Sequence, residues 1–463
     1  MSPYRRLCLA TTLLFAAPLA AQTETASSEE ATLRRIYFEA LEHGEAFENL
    51  RALVTLAPGR LAGSKALDRA VAWGEQTLTA LKLDRVYEQE VMVPHWERGP
   101  KESVTLLSAS GPIPLAAAAL GGSVPGDVTA EVVEVTSLKE LDQLGREKLA
   151  GKIVFFNRPM DPAVIIPGAA YGAAGDQRNR GPGVAATFGA VAALTRSLTH
   201  AHDDVPHTGA TNYVPGQPKI PAAALSTLAA DRLSAALAAN PHIKVSLKIN
   251  SQWFPDAPSH NVIGEIRGTE FPNEIILVGG HTDSWDIAPG AHDDGAGVVQ
   301  SIEVLRLFRA LGLKPRHTLR CVLFVNEENG TRGATAYASA AKDSTEKHLF
   351  AVETDNGGFQ PHGFTIGSTQ GDAAARAARW LPLFQPYGIF EFRKGTAGTD
   401  VTPLLVQGVT VAEMTPDSQR YFDIHHTTED SLDKVNPREL ELGGAALASL
   451  IWLVDTQGLW PKP

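Results

Sequence analysis

Residues 273–311 read NEIILVGGHTDSWDIAPGAHDDGAGVVQSIEVLRLFRAL, and the way this stretch divides decides the fold. It opens with a continuous apolar run of strand length that ends at His281. It closes, from Ala296 on, with apolar residues at three- and four-residue spacing, which predicts an amphipathic helix. The glycine-rich loop between them, residues 281–297, holds two histidines and four aspartates. Acidic segments of this length are usually solvated loops, so the rest of the chain has to say whether this one belongs to a site.

Two further apolar runs follow. TLRCVLFVNEE predicts a buried strand ending at Glu327 and Glu328, and HLFAVETD another ending at Asp355. Continuous apolar strands separated by helices predict an α/β fold with a mostly parallel mixed sheet sandwiched by helices. In such sheets ligands bind at the carboxyl ends of the strands. His281, Asp293, Glu327, Glu328 and Asp355 should therefore meet in one cleft. The late segment YFDIHHTTEDSLDKV adds His425 and His426. Imidazoles and carboxylates without thiolates are the ligand mix of zinc in a hydrolytic site.

Charge counting favours two metals over one. Two divalent ions bring four positive charges; three ligand carboxylates, with Asp293 bridging, and one bridging hydroxide cancel them. A general base must stand beside that hydroxide, and Glu327, next to Glu328, is the natural candidate. Residues two apart in an extended segment share a side. Asp283 is therefore expected to accept the second ring N–H of His281 and fix its tautomer. His292 and Asp286 read as loop residues beside the site, and His207 in PHTG as either a turn cap or a residue reaching the site.

Upstream, residues 24–83 carry helical spacing and VYEQEVMVPHWERG reads as extended. Between residues 111 and 248 the texture changes to alanine, glycine and proline with short apolar runs, and GVAATFGAVAALTRSL reads there as a helix. This predicts a module inserted into a larger domain. The first residues have the parts of a secretory signal: Arg5 and Arg6, a short apolar run, and small residues before a cut after Ala21. The chain divides into a signal peptide (1–21), an N-terminal helical part of the main domain (22–110), an inserted module (111–255) and a catalytic core (256–463). A secreted or periplasmic location follows, with no membrane partner after cleavage. The net charge of −11 excludes nucleic acid as a partner. Of two cysteines, Cys8 falls in the signal and Cys321 in a predicted buried strand, so no disulfide is expected.

The ordered set H-x-D, D-D-x-x-G, E-E, E-x-D and H, together with GRLAGSKAL, VPHWERG, GKIVFFNRP, PHTG, NEENGTRGA and GTAGTD, resembles the zinc-dependent aminopeptidases and carboxypeptidases of peptidase family M28. The resemblance covers nearly the whole chain after the signal. It implies two Zn2+ per chain, with His281 and Asp355 on one, Glu328 and His426 on the other, and Asp293 bridging through an Asp293–Asp294 bond that is often cis. It further implies that Glu327 is the general base, that His425 and Asp400 lie toward the substrate, and that the insert is a protease-associated (PA) domain. The expected function is exopeptidase action on dipeptides or short peptides with free termini; relatives are often homodimers. The alternatives are an aminopeptidase on longer peptides, a glutaminyl cyclase and a non-catalytic binding protein.

Overall fold

The computed structural model describes residues 28–460, so the expected signal peptide lies outside the described residues. The described chain opens with helices α1 (Ser28–His43), α2 (Ala46–Leu56) and α3 (Lys65–Ala80). Leu33, Ile36, Tyr37 and Ala40 of α1 are buried, at the three- and four-residue spacing of one inward face. Ser64 starts α3, its hydroxyl accepting the Leu67 N–H at 3.1 Å.

The main sheet consists of β1 (Arg85–Glu97), β2 (Gln252–Ile266), β3 (Phe271–His281), β4 (His317–Phe324), β5 (Lys347–Glu353), β6 (Pro361–Gly367), β7 (Glu391–Lys394) and β8 (Thr410–Pro416). Their spatial order is β1-β2-β4-β3-β5-β8-β6-β7. The expected mostly parallel sheet needs correction, because the sheet is mixed. The central run β4-β3-β5-β8 is parallel. β2 pairs antiparallel with both β1 and β4, and β6 antiparallel with β8. For the β1–β2 pair the reason lies in exposure: β1 and the first half of β2 form a half-wet ribbon, which antiparallel pairing tolerates and parallel pairing does not.

The central strands are apolar throughout because both faces are covered. Ile276, Val278, Cys321 and Leu323 enter one core, while Leu277, Val322 and Phe324 enter the other beneath α5 (Arg332–Asp343). The helix predicted after the acidic loop is α4 (Ala296–Ala310). It is buried from Ala296 to Phe308 rather than amphipathic, since α6 (Pro437–Gln457), α1 and α2 also pack on it. A Cβ on Gly443 of α6 would come within 2.0 Å of Gln300 Nε2, so a larger residue there would have to displace the buried Gln300 side chain. Glu303 and Arg306 of α4 pair bidentately at 2.7 and 2.8 Å, and Arg306 also reaches Glu39 at 3.0 Å.

A second mixed sheet, also of eight strands, takes its strands from Ser103–Ser108 through Lys244–Ile249. Its first strand thus precedes the boundary expected at 111. Ile153 and Phe155 face one core and Val154 and Phe156 another. The predicted helix GVAATFGAVAALTRSL divides here. Residues Gly181–Thr187 are helical, Gly189 turns the chain at φ 83°, and Ala192–Arg196 is a strand. Small apolar residues between two parallel neighbours fill both faces of that strand, which overrides helical periodicity. Arg98 joins the two sheets, holding Asp286 with two bonds of 2.7 Å.

Candidate metal centre

Register brings the site together. His281 at the end of β3 lies level with Phe324 of β4, and Gly279 lies level with Glu353 of β5. The segments leaving β4 and β5, with Glu327, Glu328 and Asp355, therefore emerge at the edge where β3 ends. The loop 282–295 returns over that edge, carrying Asp293 across a cis Asp293–Asp294 bond.

Two groups share Asp293. His281 Nε2 stands 3.4 Å from Asp293 Oδ1 and 3.5 Å from Asp355 Oδ1. His426 Nε2 stands 3.2 Å from Asp293 Oδ2 and 3.1 Å from Glu328 Oε2. His425 Nε2 is 3.4 Å from Asp293 Oδ2, its ring stacked on His426 with centroids 3.5 Å apart. Distance to Asp293 thus does not separate the two histidines; the contact with Glu328 belongs to His426.

The other aspartates of the loop hold main chain. His281 Nδ1 donates to the backbone carbonyl of Asp283 at 3.0 Å, whereas the Asp283 carboxylate is 3.8 Å away. That carboxylate instead accepts the N–H groups of Glu327 (3.0 Å) and Glu328 (3.3 Å), so Asp283 orients His281 through its backbone and the glutamates through its side chain. Asp294 accepts the N–H of His281 at 3.0 Å and of Gly297 at 2.9 Å. His292 stacks on Phe359 and takes the Gly358 N–H on Nδ1. Asp400, expected toward the substrate, is buried, with both carboxylate oxygens lacking a hydrogen-bond partner. Its N–H and that of Val401 donate to Glu353 Oε2 at 2.9 and 3.0 Å, while the preceding Thr399 lines the cavity.

Arg60 and Asp430 escaped sequence reasoning, and the turn around His207 was only partly foreseen. Arg60 is fully buried and donates to the carbonyls of Thr282, Pro289 and Gly290, clamping both ends of the acidic loop. Asp430 accepts the N–H of His292 at 2.7 Å and of Asp293 at 3.1 Å. The turn at 207–209 of the insert backs the histidines. His207 Nδ1 donates to the His425 carbonyl at 2.8 Å, Thr208 N–H to the His426 carbonyl at 3.0 Å, and His426 Nδ1 to the Thr208 carbonyl at 3.3 Å. The only signal for Asp430 was its place in TTED and Arg60 acts on main-chain groups and had none, while His207 had been read as either a turn cap or a residue reaching the site, and it is the second.

The electrostatics call for cations. Burial pushes Glu327 up to about 7, and raises Glu328 and Asp355 with help from neighbouring acids. Asp293, although buried, is held well below the usual range by His281 and His426 beside it. Burial depresses His425 and His426 and lowers His207 to about 3, whereas His281, although buried, is raised by Asp355 and Asp293 beside it. His281 Nε2, Asp293 Oδ2 and Asp355 Oδ1 are buried without a hydrogen-bond partner. Buried donors that lack protein partners yet face one another are a fit for divalent ions. A cavity of about 600 Å³ opens onto this point, lined by Glu327, Glu328, Asp355 and His425 and, from the insert, by Tyr171, Arg178 and Asn212.

Comparison with known proteins agrees with this geometry. The sequence pattern of Peptidase family M28 matches residues 261–451. Carboxypeptidase Q of Bos taurus is 35% identical over 420 residues, 90% of this chain and 86% of its own length. Carboxypeptidase Q of Homo sapiens is 34% identical over the same shares. A Peptidase M28 precursor from Shewanella amazonensis SB2B superposes with a TM-score of 0.89 at 33% identity, over 94% of this chain and 98% of its own. BSAP, a zinc aminopeptidase from Bacillus subtilis, shares the fold with a TM-score of 0.64 at 19% identity, over 90% and 96%.

Proposed function

Since the chain belongs to peptidase family M28 and is a metallopeptidase, we propose that it is an exported zinc exopeptidase that hydrolyses dipeptides or short peptides with free termini. The observation that carries this reading is Asp293 standing between His281 with Asp355 on one side and His426 with Glu328 on the other. Two Zn2+ would fit that donor set: His281 and Asp355 would hold one, Glu328 and His426 the other, and Asp293 would serve both. When bound, the ions acidify a water and polarise the scissile carbonyl.

The chain's own residues do the rest. Glu327, on the cavity wall, takes the proton from the water and returns it to the leaving amine. Asp283 sets the backbone from which Glu327 and Glu328 project, so base and ligand keep one spacing. The second sheet serves as the PA module of the family, and the segment 1–21 as the export signal. Among the described residues no helix is long and apolar enough to cross a membrane.

A dipeptide panel with zinc-replete and chelated protein tests this reading, with Glu327→Gln as the control that keeps the ligands. Hydrolysis by the zinc-loaded parent, lost on chelation and in Glu327→Gln, is expected. Failure of the zinc-replete parent on every dipeptide would overturn it.

A further inference from the structure

A second cavity, of about 620 Å³, opens beside the metal centre over one face of β6, β7 and β8. Gly168 and Asn356 line both it and the metal cavity, so the two adjoin. Alternation along β8 accounts for the opening. Val411, Glu413 and Thr415 share a face. Val411 packs with Leu404 in an apolar core, whereas Glu413 and Thr415, further along, line the cavity. Register sets Thr365 of β6 opposite Glu413, and Arg393 of β7 opposite Thr365. The roof comes from the insert. Ile165 and Ile166 line the cavity from there while 83% and 47% exposed. Gln419 Nε2 ties the roof down, donating to the Ile165 carbonyl at 2.9 Å.

Glu413 is the group without a counterpart. Asn356 Nδ2 donates to its Oε1, and among the described residues nothing donates to Oε2. The ionisable groups that bear on it are the carboxylates Asp355 and Glu353, with no cation among them. Burial and Asp355 both work against its charge, which makes an unpaired carboxylate costly here. Thr415 Oγ1, on the same face, is also buried without a hydrogen-bond partner. Of the cations around the cavity, Arg393 pairs with Glu391 at 3.0 Å, and Lys394 and His362 are exposed. The cavity thus calls for a cation at Glu413 and an apolar stem under Ile165 and Ile166. Lysine and arginine side chains combine those two parts. Glu413 is level with Glu353 of β5, two residues before Asp355, which is roughly 7 Å along a strand. A long side chain beside a carbonyl held at Asp355 spans that gap, and a short one does not.

We propose that Glu413 receives the terminal cation of a lysine or arginine side chain next to the scissile bond, which makes the adjoining cavity a specificity subsite for basic residues. The inference rests on the peptidase reading and adds a side-chain preference to it. Glu413 is a specificity-determining residue set on the catalytic sheet, and the insert supplies the apolar roof above it.

The test compares side chains of similar stem and different charge. The measure is kcat/KM of the zinc-loaded protein for lysyl-alanine over norleucyl-alanine, and for alanyl-lysine over alanyl-norleucine to read the other side of the bond. Lysine is expected to be favoured at least about 10-fold in one of the two orders, the scale of a hydrogen bond to a charged group. A smaller preference in both orders overturns the proposal. In Glu413→Gln the preference should fall below about 3-fold, and in Glu413→Lys the glutamate peptide of the same order should overtake the lysine peptide. A lysine preference that Glu413→Gln leaves intact overturns the assignment. If the Glu413 variants do not fold, Ile165→Lys, at an exposed position, sets a like charge on the roof. It is expected to cut the parent's preference at least about 3-fold, and an unchanged preference overturns the proposal. A parent that hydrolyses no peptide sinks the peptidase reading instead. The cation site is then judged by calorimetry on zinc-loaded Glu327→Gln: tighter binding of the lysine peptide than of its norleucine counterpart leaves it standing, and equal binding overturns it as well.

Discussion

The edge of the main sheet and the turn at 207–209 hold the same cluster from opposite sides, and by different chemistry. At the edge, acidic side chains grip main-chain N–H groups: Asp283 those of Glu327 and Glu328, Asp294 those of His281 and Gly297, Asp430 those of His292 and Asp293. At the turn, the His207 ring meets the backbone of His425, and the Thr208 backbone meets the backbone and the ring of His426. The His281–Asp355 half is thus prepared by the catalytic core alone. The Glu328–His426 half is completed only where the two sheets meet. Acids that look like spare ligands prove to be the scaffold for the ligands.

The largest expected effect tests chemistry without disturbing either grip. Glu327→Gln should lower kcat by about 10²–10⁴-fold with zinc content by elemental analysis unchanged; a variant that lost zinc as well would make Glu327 part of the scaffold. Chelation should abolish activity and lower the thermal midpoint by several degrees. At a metal concentration about 100 times Kd, bound ligand contributes roughly 2.7 kcal/mol. Restored activity on adding zinc back is the check, and a midpoint indifferent to zinc would mean that neither half depends on metal for its form. Arg60→Met should cost about 3 kcal/mol in urea unfolding, because three buried loop carbonyls lose their donor; a loss within about 0.5 kcal/mol would show that the loop stands without its clamp. The smallest effect is the most discriminating. His207→Ala should weaken one zinc of the two by about 10-fold in competition titrations, leaving the other unchanged. Equal weakening of both would erase the distinction between the halves.

The grouping of these side chains was legible because strand ends announce themselves. His281, Glu328 and Asp355 each follow an apolar run, and a parallel central sheet sends those ends to one edge. Asp293 was legible from its glycine-rich loop before a helix. Asp283 was assigned a partner correctly in place but not in atom: which of its oxygens meets His281 depends on loop conformation, and the carboxylate turned to two backbone N–H groups instead. Arg60, Asp430 and Thr208 act on main-chain groups, which carry no side-chain signature in a sequence. The antiparallel margin was missed because the exposure of β1 and β2 is a property of the assembled sheet. The strand Ala192–Arg196 was hidden because a run of alanines satisfies helical and strand periods alike.

The crossed pair of bonds between Thr208 and His426 has one more consequence. Coupling between binding events is reciprocal, so whatever strengthens metal binding through His426 must strengthen the seating of the second sheet by the same factor. The amide hydrogen of Thr208, donated to the His426 carbonyl at 3.0 Å, is then a gauge. Its exchange with solvent should slow as metal is added, reporting occupancy of the centre from the far side of the join.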